Sequence, residues 1–237
     1  MNDTTLLLSL TAASIGFFHT LAGPDHYLPF IVMSKAGNWT QRKTLWVTVL
    51  CGIGHVAGSV ILGFVGIALG MMLGTMEMIE GIRGDIAAWA LTTFGFVYFV
   101  WGVRVAIRTK EHIHPHTHAD GTVHTHSHGH LHEHGHAHRE GSGSSMTPWV
   151  LFLIFVLGPC EPLIPVLMVP AVEQSVASLL MVVVVFGTVT IGTMTAIVSL
   201  AIRGIDLLPV KKMERYTHAL AGGAIALSGF AILFLGL

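Results

Sequence analysis

Two short polar clusters interrupt apolar stretches of this chain, and each contains a Gly-Pro pair. In the first cluster His19 precedes the Gly-Pro pair, and Asp25 and His26 follow it directly. In the second cluster Cys160 and Glu161 come directly after the pair. Imidazole, carboxylate and thiolate groups together favour transition-metal cations such as zinc, nickel and cobalt. The two clusters therefore predict a metal site.

Superposing the two Gly-Pro pairs aligns Asp25 with Cys160 and His26 with Glu161, at an offset of 135 residues. Apolar segments that are broken at matching positions in two halves of a chain are the best sequence indication of a transporter's binding site. We expect His19, Asp25, His26 and Glu161 to bind metal or to carry protons. Cys160 is a further candidate ligand, although a buried cysteine is more often a small apolar side chain.

A third candidate position lies in another apolar stretch. His55 stands among closely spaced glycines, a composition that allows tight contact between membrane helices. Its ring either contacts the metal or hydrogen-bonds a neighbouring carbonyl group. Cys51 lies about one helical turn before His55. Because both cysteines fall in apolar spans, we expect no disulfide framework.

The prolines of both clusters also free backbone carbonyl groups. A proline has no N–H, so Pro159 and Pro162 leave the carbonyls of Phe155 and Gly158 without their helical donors. Pro24 acts in the same way in the first cluster. Freed carbonyls are tolerated at membrane depth only where protein or a watery cavity satisfies them. We expect them to complete the shell of a cation or to hold water beside it, and a plain proline kink is the alternative.

The composition places these clusters in a membrane protein. Of the 237 residues 52% are hydrophobic and only 11% are charged, which excludes an ordinary soluble domain. In this interpretation Asp25 and Glu161 are the only acidic residues deep in a span, and no Lys or Arg lies there. Runs of about 20 apolar residues predict an all-α membrane protein with six transmembrane helices at 5–33, 44–73, 86–108, 148–172, 175–202 and 215–236.

The six spans divide into two halves. We expect residues 1–108 and 148–237 to form two three-helix repeats that are joined by the loop 109–147. A second match supports the repeat, because Gly95-Phe96 recurs as Gly229-Phe230 at an offset of 134 residues. Three spans per half is an odd number, so the second half must cross the membrane in the opposite direction. The expected architecture is a pair of inverted repeats in which helices 1 and 4 are broken at the Gly-Pro pairs.

The loop 109–147 holds twelve of the sixteen histidines, spaced mostly by two residues. Its low apolar content predicts a disordered segment. Imidazoles suit zinc, copper, nickel and cobalt, so we expect a metal collector or buffer, and a solvated linker is the alternative. The loop histidines are His112, His114, His116, His118, His124, His126, His128, His130, His132, His134, His136 and His138.

The basic residues predict the orientation of the chain. Eleven of the twelve Lys and Arg residues fall on the side of the membrane that holds the loop 109–147, and only Arg83 falls on the other side. Because Lys and Arg accumulate in cytoplasmic loops, we expect the histidine-rich loop in the cytoplasm and both termini outside. The predicted location is the inner (plasma) membrane of a bacterium.

The broken first span resembles a known signature. His19 with Asp25 and His26 is similar to the His/Asp-His motif of the nickel/cobalt transporters (NiCoT and NicO types) within the lysine-exporter superfamily, although His19 and Asp25 are one residue further apart than in the NiCoT motif. The six-span layout with a histidine-rich loop resembles NicO-type efflux proteins and urease-accessory-type membrane proteins. The segment around Glu161 is similar to the wider superfamily, which includes sulfite exporters. The resemblance implies nickel or cobalt transport.

These features favour a secondary transporter of divalent transition-metal cations. The ligands must lose protons to bind metal, so we expect proton/metal antiport, and the cytoplasmic loop slightly favours efflux over uptake. A membrane metallochaperone for metalloenzyme maturation would use the same ligands without net flux. A sulfite or organic-anion exporter would need basic residues or helix N-termini at the site. A transmembrane thiol carrier would need a second cysteine in place of Asp25.

Other partner and activity classes are not expected. The sequence contains no hydrolase motif and no P-loop, so we predict no enzymatic activity and no prosthetic group. The formal net charge of −1 supplies no field that would attract nucleic acid. The expected partners are the metal ion, protons and membrane lipid, and the sequence leaves the oligomeric state open.

Overall fold

The computed structural model describes residues 3–108, 112–117, 123–128, 146–172, 175–206 and 215–235. This part of the chain contains eight α-helices, one 3₁₀ turn and one β-hairpin. The helices are α1 (Asp3–Ala22), α2 (Leu28–Ala36), α3 (Gln41–Ala68), α4 (Leu73–Arg108), α5 (Met146–Leu157), α6 (Leu163–Val172), α7 (Val176–Asp206) and α8 (Thr217–Leu235). The strands are β1 (His112–Thr117) and β2 (Val123–His128).

Five of the described helices are long and apolar enough to cross a membrane, namely α1, α3, α4, α7 and α8. The helices α5 and α6 are apolar but shorter, and together they occupy the predicted span 148–172. The predicted all-helical architecture is therefore confirmed for these segments. They are compatible with a multi-pass integral membrane protein.

Both predicted helix breaks are present. α1 ends at Ala22, a 3₁₀ turn covers Pro24–His26, and α2 begins at Leu28. In the second half α5 ends at Leu157 and α6 begins at Leu163. The first break contains Pro24, and the second contains Pro159 and Pro162. Proline lacks the N–H for the helical ladder and clashes with the preceding turn.

The helices on either side of the breaks pack against both halves of the chain. α1 packs on α7, α3 packs on α5 and α7, and α2 packs on α8. Apolar side chains fill the interior in three clusters. One is centred on Phe186 and Leu163, the second on Phe30 and Met194, and the third on Ile225. The breaks therefore lie inside the helix bundle.

α4 and α8 are the most closely packed pair of described helices, and they run antiparallel. A Cβ atom at Gly95 would lie 2.8 Å from the Cα of Ala226, and one at Gly222 would lie 2.6 Å from the Cα of Phe99. Residues later in α4 contact residues earlier in α8, so the two helices are antiparallel. Glycine is required at these positions because the two backbones touch.

α4 begins at Leu73, so the helix extends well before the predicted start of the third span at residue 86. The prediction excluded the first turns of α4 because they contain charged residues. Two of these residues, Glu80 and Arg83, lie three residues apart on one helix face and form an ion pair. Glu80 is fully buried. A buried acidic residue and its basic partner therefore lie on the helix that contains the predicted third span, before the start predicted at residue 86.

Part of the histidine-rich loop is paired as a β-hairpin. The Cα partners of the two antiparallel strands are His112 with His128, His114 with His126 and His116 with His124. Over these strands the structure differs from the predicted disordered loop, and the histidine repeat has the two-residue period of a strand. The remaining loop histidines, His118, His130, His132, His134, His136 and His138, lie outside the described residues.

Candidate metal centre

Three histidines converge at the first helix break. One ring nitrogen from each of His19, His26 and His55 lies within 4.8 Å of the other two. The Nε2 atoms of His26 and His55 are 3.3 Å apart, and the ring centroids of His19 and His26 are 4.7 Å apart. His26 and His55 are both 3% exposed. Three nitrogen donors at one buried point have the number and type needed to hold a transition-metal ion.

The local backbone explains why these rings meet. His19 lies in the last turn of α1, and the 3₁₀ turn returns His26 to the same side of the helix. Gly23 is required in this turn, because a Cβ atom there would lie 2.5 Å from His26 Nδ1. His55 lies on α3. The adjacent Gly54 lets the side chains of α5 approach, because a Cβ atom at Gly54 would lie only 2.7 Å from Val156 Cγ2.

The Nδ1 atoms of His26 and His55 face the backbone of the two breaks, and their Nε2 atoms face each other. His26 Nδ1 lies 3.1 Å from the carbonyl oxygen of Gly23 and 3.2 Å from Asp25 Oδ1. Both oxygens accept, so Nδ1 carries a proton, and Nε2 keeps its lone pair when the ring is neutral. His55 Nδ1 faces the second break, where a Cβ atom at Gly158 would lie 3.0 Å from this nitrogen and 3.2 Å from the carbonyl oxygen of Phe155. Metal-binding histidines commonly have such a partner on the second ring nitrogen.

The Nε2 atoms of His26 and His55 lie at hydrogen-bond distance, and which ring donates depends on the tautomer. When both rings carry their proton on Nδ1, two lone pairs face each other across 3.3 Å and a cation fits between them. Two imidazole nitrogens that bind one tetrahedral zinc ion at about 2.0–2.1 Å lie about 3.4 Å apart, a closely similar separation. A proton shared by the two rings is the other cation that fits this gap.

The third ring presents an unpaired nitrogen. His19 Nε2 is buried and has no hydrogen-bond partner among the residues that the structure describes. Buried polar atoms almost always have a partner, and each exception calls for an explanation. A metal ion bound beside His26 and His55 would supply that partner.

The two predicted carboxylate ligands lie at the edge of the cluster. Asp25 contacts it through the Nδ1 atom of His26, and its side chain is 23% exposed. Glu161 is exposed and lines the same cavity as the histidines. Among the described residues, the donor atoms within 4.8 Å of one another come from the three histidines, and neither carboxylate is included. The structure therefore brings His19, His26 and His55 together and places both carboxylates beside them.

The two cysteines lie in apolar surroundings. Cys160 is fully buried in the cluster that contains Leu163 and Phe186. Cys51 is 1% exposed and packs with Phe30. Neither is among the described residues that line the cavity of the histidines. Both occupy positions typical of cysteine as a small apolar side chain.

The histidine cluster lines a cavity of about 400 Å³. Asp25, Asp85 and Glu161 line the same cavity, and no Lys or Arg is among its described lining residues. Three carboxylates with three imidazoles favour a cation in this space over an anion. Asp85 was not predicted from the sequence, because the segment before residue 86 was interpreted as a connection between spans.

Sequence reasoning also missed a buried polar network behind the second break. Ser59 Oγ donates to Glu80 Oε2 at 3.0 Å, and Arg83 pairs with Glu80. Arg83 Nη2 donates to the carbonyl oxygen of Val156 at 3.0 Å, and the N–H of Cys160 donates to Ser59 Oγ at 3.0 Å. The only signal in the sequence was a pair of opposite charges three residues apart, directly before an apolar stretch.

Comparison with known proteins gives no assignment. No protein-family model, curated protein or solved structure matches this chain. The function therefore has to be inferred from the site itself, which combines three convergent imidazoles, a cavity with three carboxylates and two broken apolar helices.

Proposed function

We propose that this protein is a secondary transporter of divalent transition-metal cations and that it is not an enzyme. The observation that carries the proposal is the convergence of His19, His26 and His55 within 4.8 Å, in a cavity that carboxylates also line. Nickel, cobalt and zinc are the proposed cargo, because they accept imidazole nitrogen together with carboxylate oxygen. Calcium and magnesium prefer oxygen ligands alone.

Three protein ligands suit a site that must release its ion. Structural zinc sites close with four protein ligands, whereas sites that exchange a ligand keep one position open. In the proposed mechanism His19, His26 and His55 hold the ion while Asp25 orients the ring of His26. Glu161, on the wall of the same cavity, takes a proton or the departing ion.

The proposed transport mechanism is alternating access between two inverted three-helix repeats. Three observations support this arrangement. Two broken helices recur at an offset of 135 residues, α4 and α8 pair antiparallel, and the packing of α1 on α7 has a counterpart in that of α5 on α3. In this mechanism the two halves rock about the site between the breaks and open it to each side of the membrane in turn.

Proton exchange is the proposed driving force. Histidine and carboxylate ligands must be deprotonated to bind metal, so binding releases protons. We propose proton/metal antiport in the efflux direction across a bacterial inner membrane, with both termini outside and the loop 109–147 collecting metal in the cytoplasm. The resemblance of the first break to the motif of NicO- and NiCoT-type nickel/cobalt transporters supports the same class of cargo.

The alternative of an anion exporter is disfavoured by the surroundings of Arg83. This residue lies in a span, but its guanidinium pairs with Glu80 and donates to the carbonyl oxygens of Val156 and Gly158. It is not among the described residues that line the cavity. Its charge is therefore already balanced, and the cavity itself carries acidic groups.

Metal flux into proteoliposomes tests the proposal. The purified protein is reconstituted, and nickel, cobalt, zinc and manganese are compared under an imposed pH gradient. We expect saturable, proton-coupled flux that is abolished in His26→Ala and His55→Ala. Flux is expected to fall strongly in Asp25→Asn and Glu161→Gln, because the first loses the partner of His26 and the second loses a carboxylate of the cavity.

The control is a histidine outside the site. His218 hydrogen-bonds the hydroxyl group of Tyr98 at 2.7 Å, so His218→Ala should transport as the parent does. Normal flux in all four site variants would show that the site is wrong. Stoichiometric metal binding without flux of any of the four metals would favour the metallochaperone instead.

A further inference from the structure

The second helix break is held by side chains that replace a missing helical hydrogen bond. In a regular helix the N–H of Cys160 would donate to the carbonyl of Val156, four residues earlier. Here the N–H of Cys160 donates to Ser59 Oγ, and the carbonyl of Val156 accepts from Arg83 Nη2, both at 3.0 Å. Side chains of α3 and α4 therefore satisfy both the donor and the acceptor that the break leaves unpaired.

Glu80 joins these side chains into one unit. Its carboxylate is fully buried, accepts from Ser59 and pairs with Arg83. Removing one partner of a buried ion pair leaves an uncompensated charge, so each group depends on the other. Gly58 makes room for the unit, because a Cβ atom there would lie 2.5 Å from Arg83 Nη2. We refer to Ser59, Glu80 and Arg83 as the clamp.

The clamped segment touches a histidine of the candidate metal centre. Gly158 packs against the ring of His55, since a Cβ atom at Gly158 would lie 3.0 Å from His55 Nδ1. The carbonyl oxygen of Phe155 lies beside the same ring, 3.2 Å from the Cβ position at Gly158. Arg83 Nη2 also lies 3.5 Å from the carbonyl oxygen of Gly158. This carbonyl has no helical donor, because Pro162, four residues later, lacks an N–H. One short stretch of backbone therefore connects Arg83 to His55.

We infer that Ser59, Glu80 and Arg83 are positioning residues for the metal site. The clamp holds the second break in the conformation that orients His55, and it does so without contacting the metal. None of the three is among the described residues that line the cavity, so their effect on the metal passes through the backbone of the break. The inference rests on the proposed metal site and adds the residues that set its geometry.

A clamp that only stabilised the fold would behave differently from one that positions His55. Arg83→Met alone leaves Glu80 buried without its partner, which lowers stability in either case. The double variant E80Q/R83M removes that uncompensated charge, but it also removes the donors to Val156. A purely stabilising clamp predicts that the double variant recovers both the melting temperature and the metal affinity. A positioning clamp predicts recovery of the melting temperature alone.

Equilibrium binding of Co²⁺ to the full-length chain tests the inference. The twelve loop histidines are replaced by serine, so that only the membrane site is titrated. The visible absorption of bound Co²⁺ reports its coordination geometry. We expect R83M and E80Q/R83M to bind Co²⁺ about 10- to 100-fold more weakly than the parent, as for other losses of outer partners of a metal ligand. Their Co²⁺ spectra should also differ from that of the parent.

Two further variants complete the test. R83K keeps the charge but not the planar fork of donors, so its affinity should be intermediate. Glu77 is an exposed acid on the same helix, and E77Q should keep the parent's affinity and spectrum. If R83M does not fold, the double variant and R83K decide the question.

Two outcomes would overturn the inference in distinguishable ways. Parent-like affinity and spectrum in E80Q/R83M would reject the positioning role while leaving the metal site intact. A parent chain that binds no Co²⁺ would reject the proposed metal site, and the inference would fail with it.

Discussion

The Nε2 atoms of His26 and His55 lie 3.3 Å apart, and the opposite nitrogen of each ring faces the backbone of a helix break. His26 Nδ1 contacts the carbonyl oxygen of Gly23 in the first break, and His55 Nδ1 packs against Gly158 in the second break. Both Gly-Pro breaks therefore act on one pair of nitrogens. The second break acts through its backbone, whereas the side chain of Cys160 is buried in an apolar cluster.

Asp25 is expected to strengthen metal binding through His26. Asp25→Asn keeps the shape of the side chain but removes the charge that orients and polarises the imidazole. Metal affinity should fall by about 10- to 100-fold, with the three histidines still bound. Titration calorimetry with Ni²⁺ on the full-length chain that lacks loop histidines measures this change. An unchanged affinity would show that the contact at 3.2 Å has no influence on the site.

Metal binding should weaken as the pH is lowered. Protons compete with the metal for His19, His26 and His55, so each ligand that is protonated must release its proton on binding. The apparent affinity for Ni²⁺ should fall as the pH is lowered from about 8 toward about 3, because burial disfavours a charged imidazole and extends histidine titration below its ordinary range of about pH 5–8. A pH indicator in weakly buffered solution should record the released protons. A constant affinity across this range would contradict ligation by histidine.

Thr190 should be replaceable by valine without loss of stability. Its hydroxyl group is fully buried and has no hydrogen-bond partner among the described residues. Thr190→Val removes an unsatisfied polar group, so the free energy of unfolding should rise by about 1 kcal/mol. Thr48 is equally buried but donates to the carbonyl of Thr44 at 2.9 Å. Thr48→Val should therefore destabilise, and thermal unfolding in detergent compares the two variants.

Two adjacent glycines of α8 should respond differently to alanine. A Cβ atom at Gly222 would lie 2.6 Å from the Cα of Phe99, whereas one at Gly223 would make an ordinary contact of 3.5 Å with the same residue's ring. Gly222→Ala should lower the free energy of unfolding by about 1–3 kcal/mol through overpacking. Gly223→Ala should not lower it, because alanine favours the helix. Equal melting temperatures would argue against the close α4–α8 packing.

The breaks were predictable from the sequence because proline acts locally. Its missing N–H stops the helical ladder whatever surrounds it, so the Gly-Pro pairs located both breaks correctly. The directions of the side chains beyond each break were not predictable, since the backbone there no longer repeats with the helical period. The structure turns Asp25 toward the ring of His26 and buries Cys160 among apolar side chains.

The clamp was not predictable for a different reason. A hydropathy scan weighs each residue alone, so it assigned Glu80 and Arg83 to a polar connection. Their burial depends on each other, on Ser59 and on the carbonyl of Val156, which lies 73 residues further along the chain than Arg83. Only the folded arrangement of α3, α4 and α5 brings these groups together.

Zinc X-ray absorption tests most directly that His19, His26 and His55 hold the metal. The full-length chain without loop histidines is loaded with one zinc ion per protein. We predict nitrogen and oxygen ligands at about 2.0–2.1 Å, with outer scattering from three imidazole rings that falls to two in His55→Ala. A sulfur shell at about 2.3 Å, or an oxygen shell without imidazole scattering, would contradict the site.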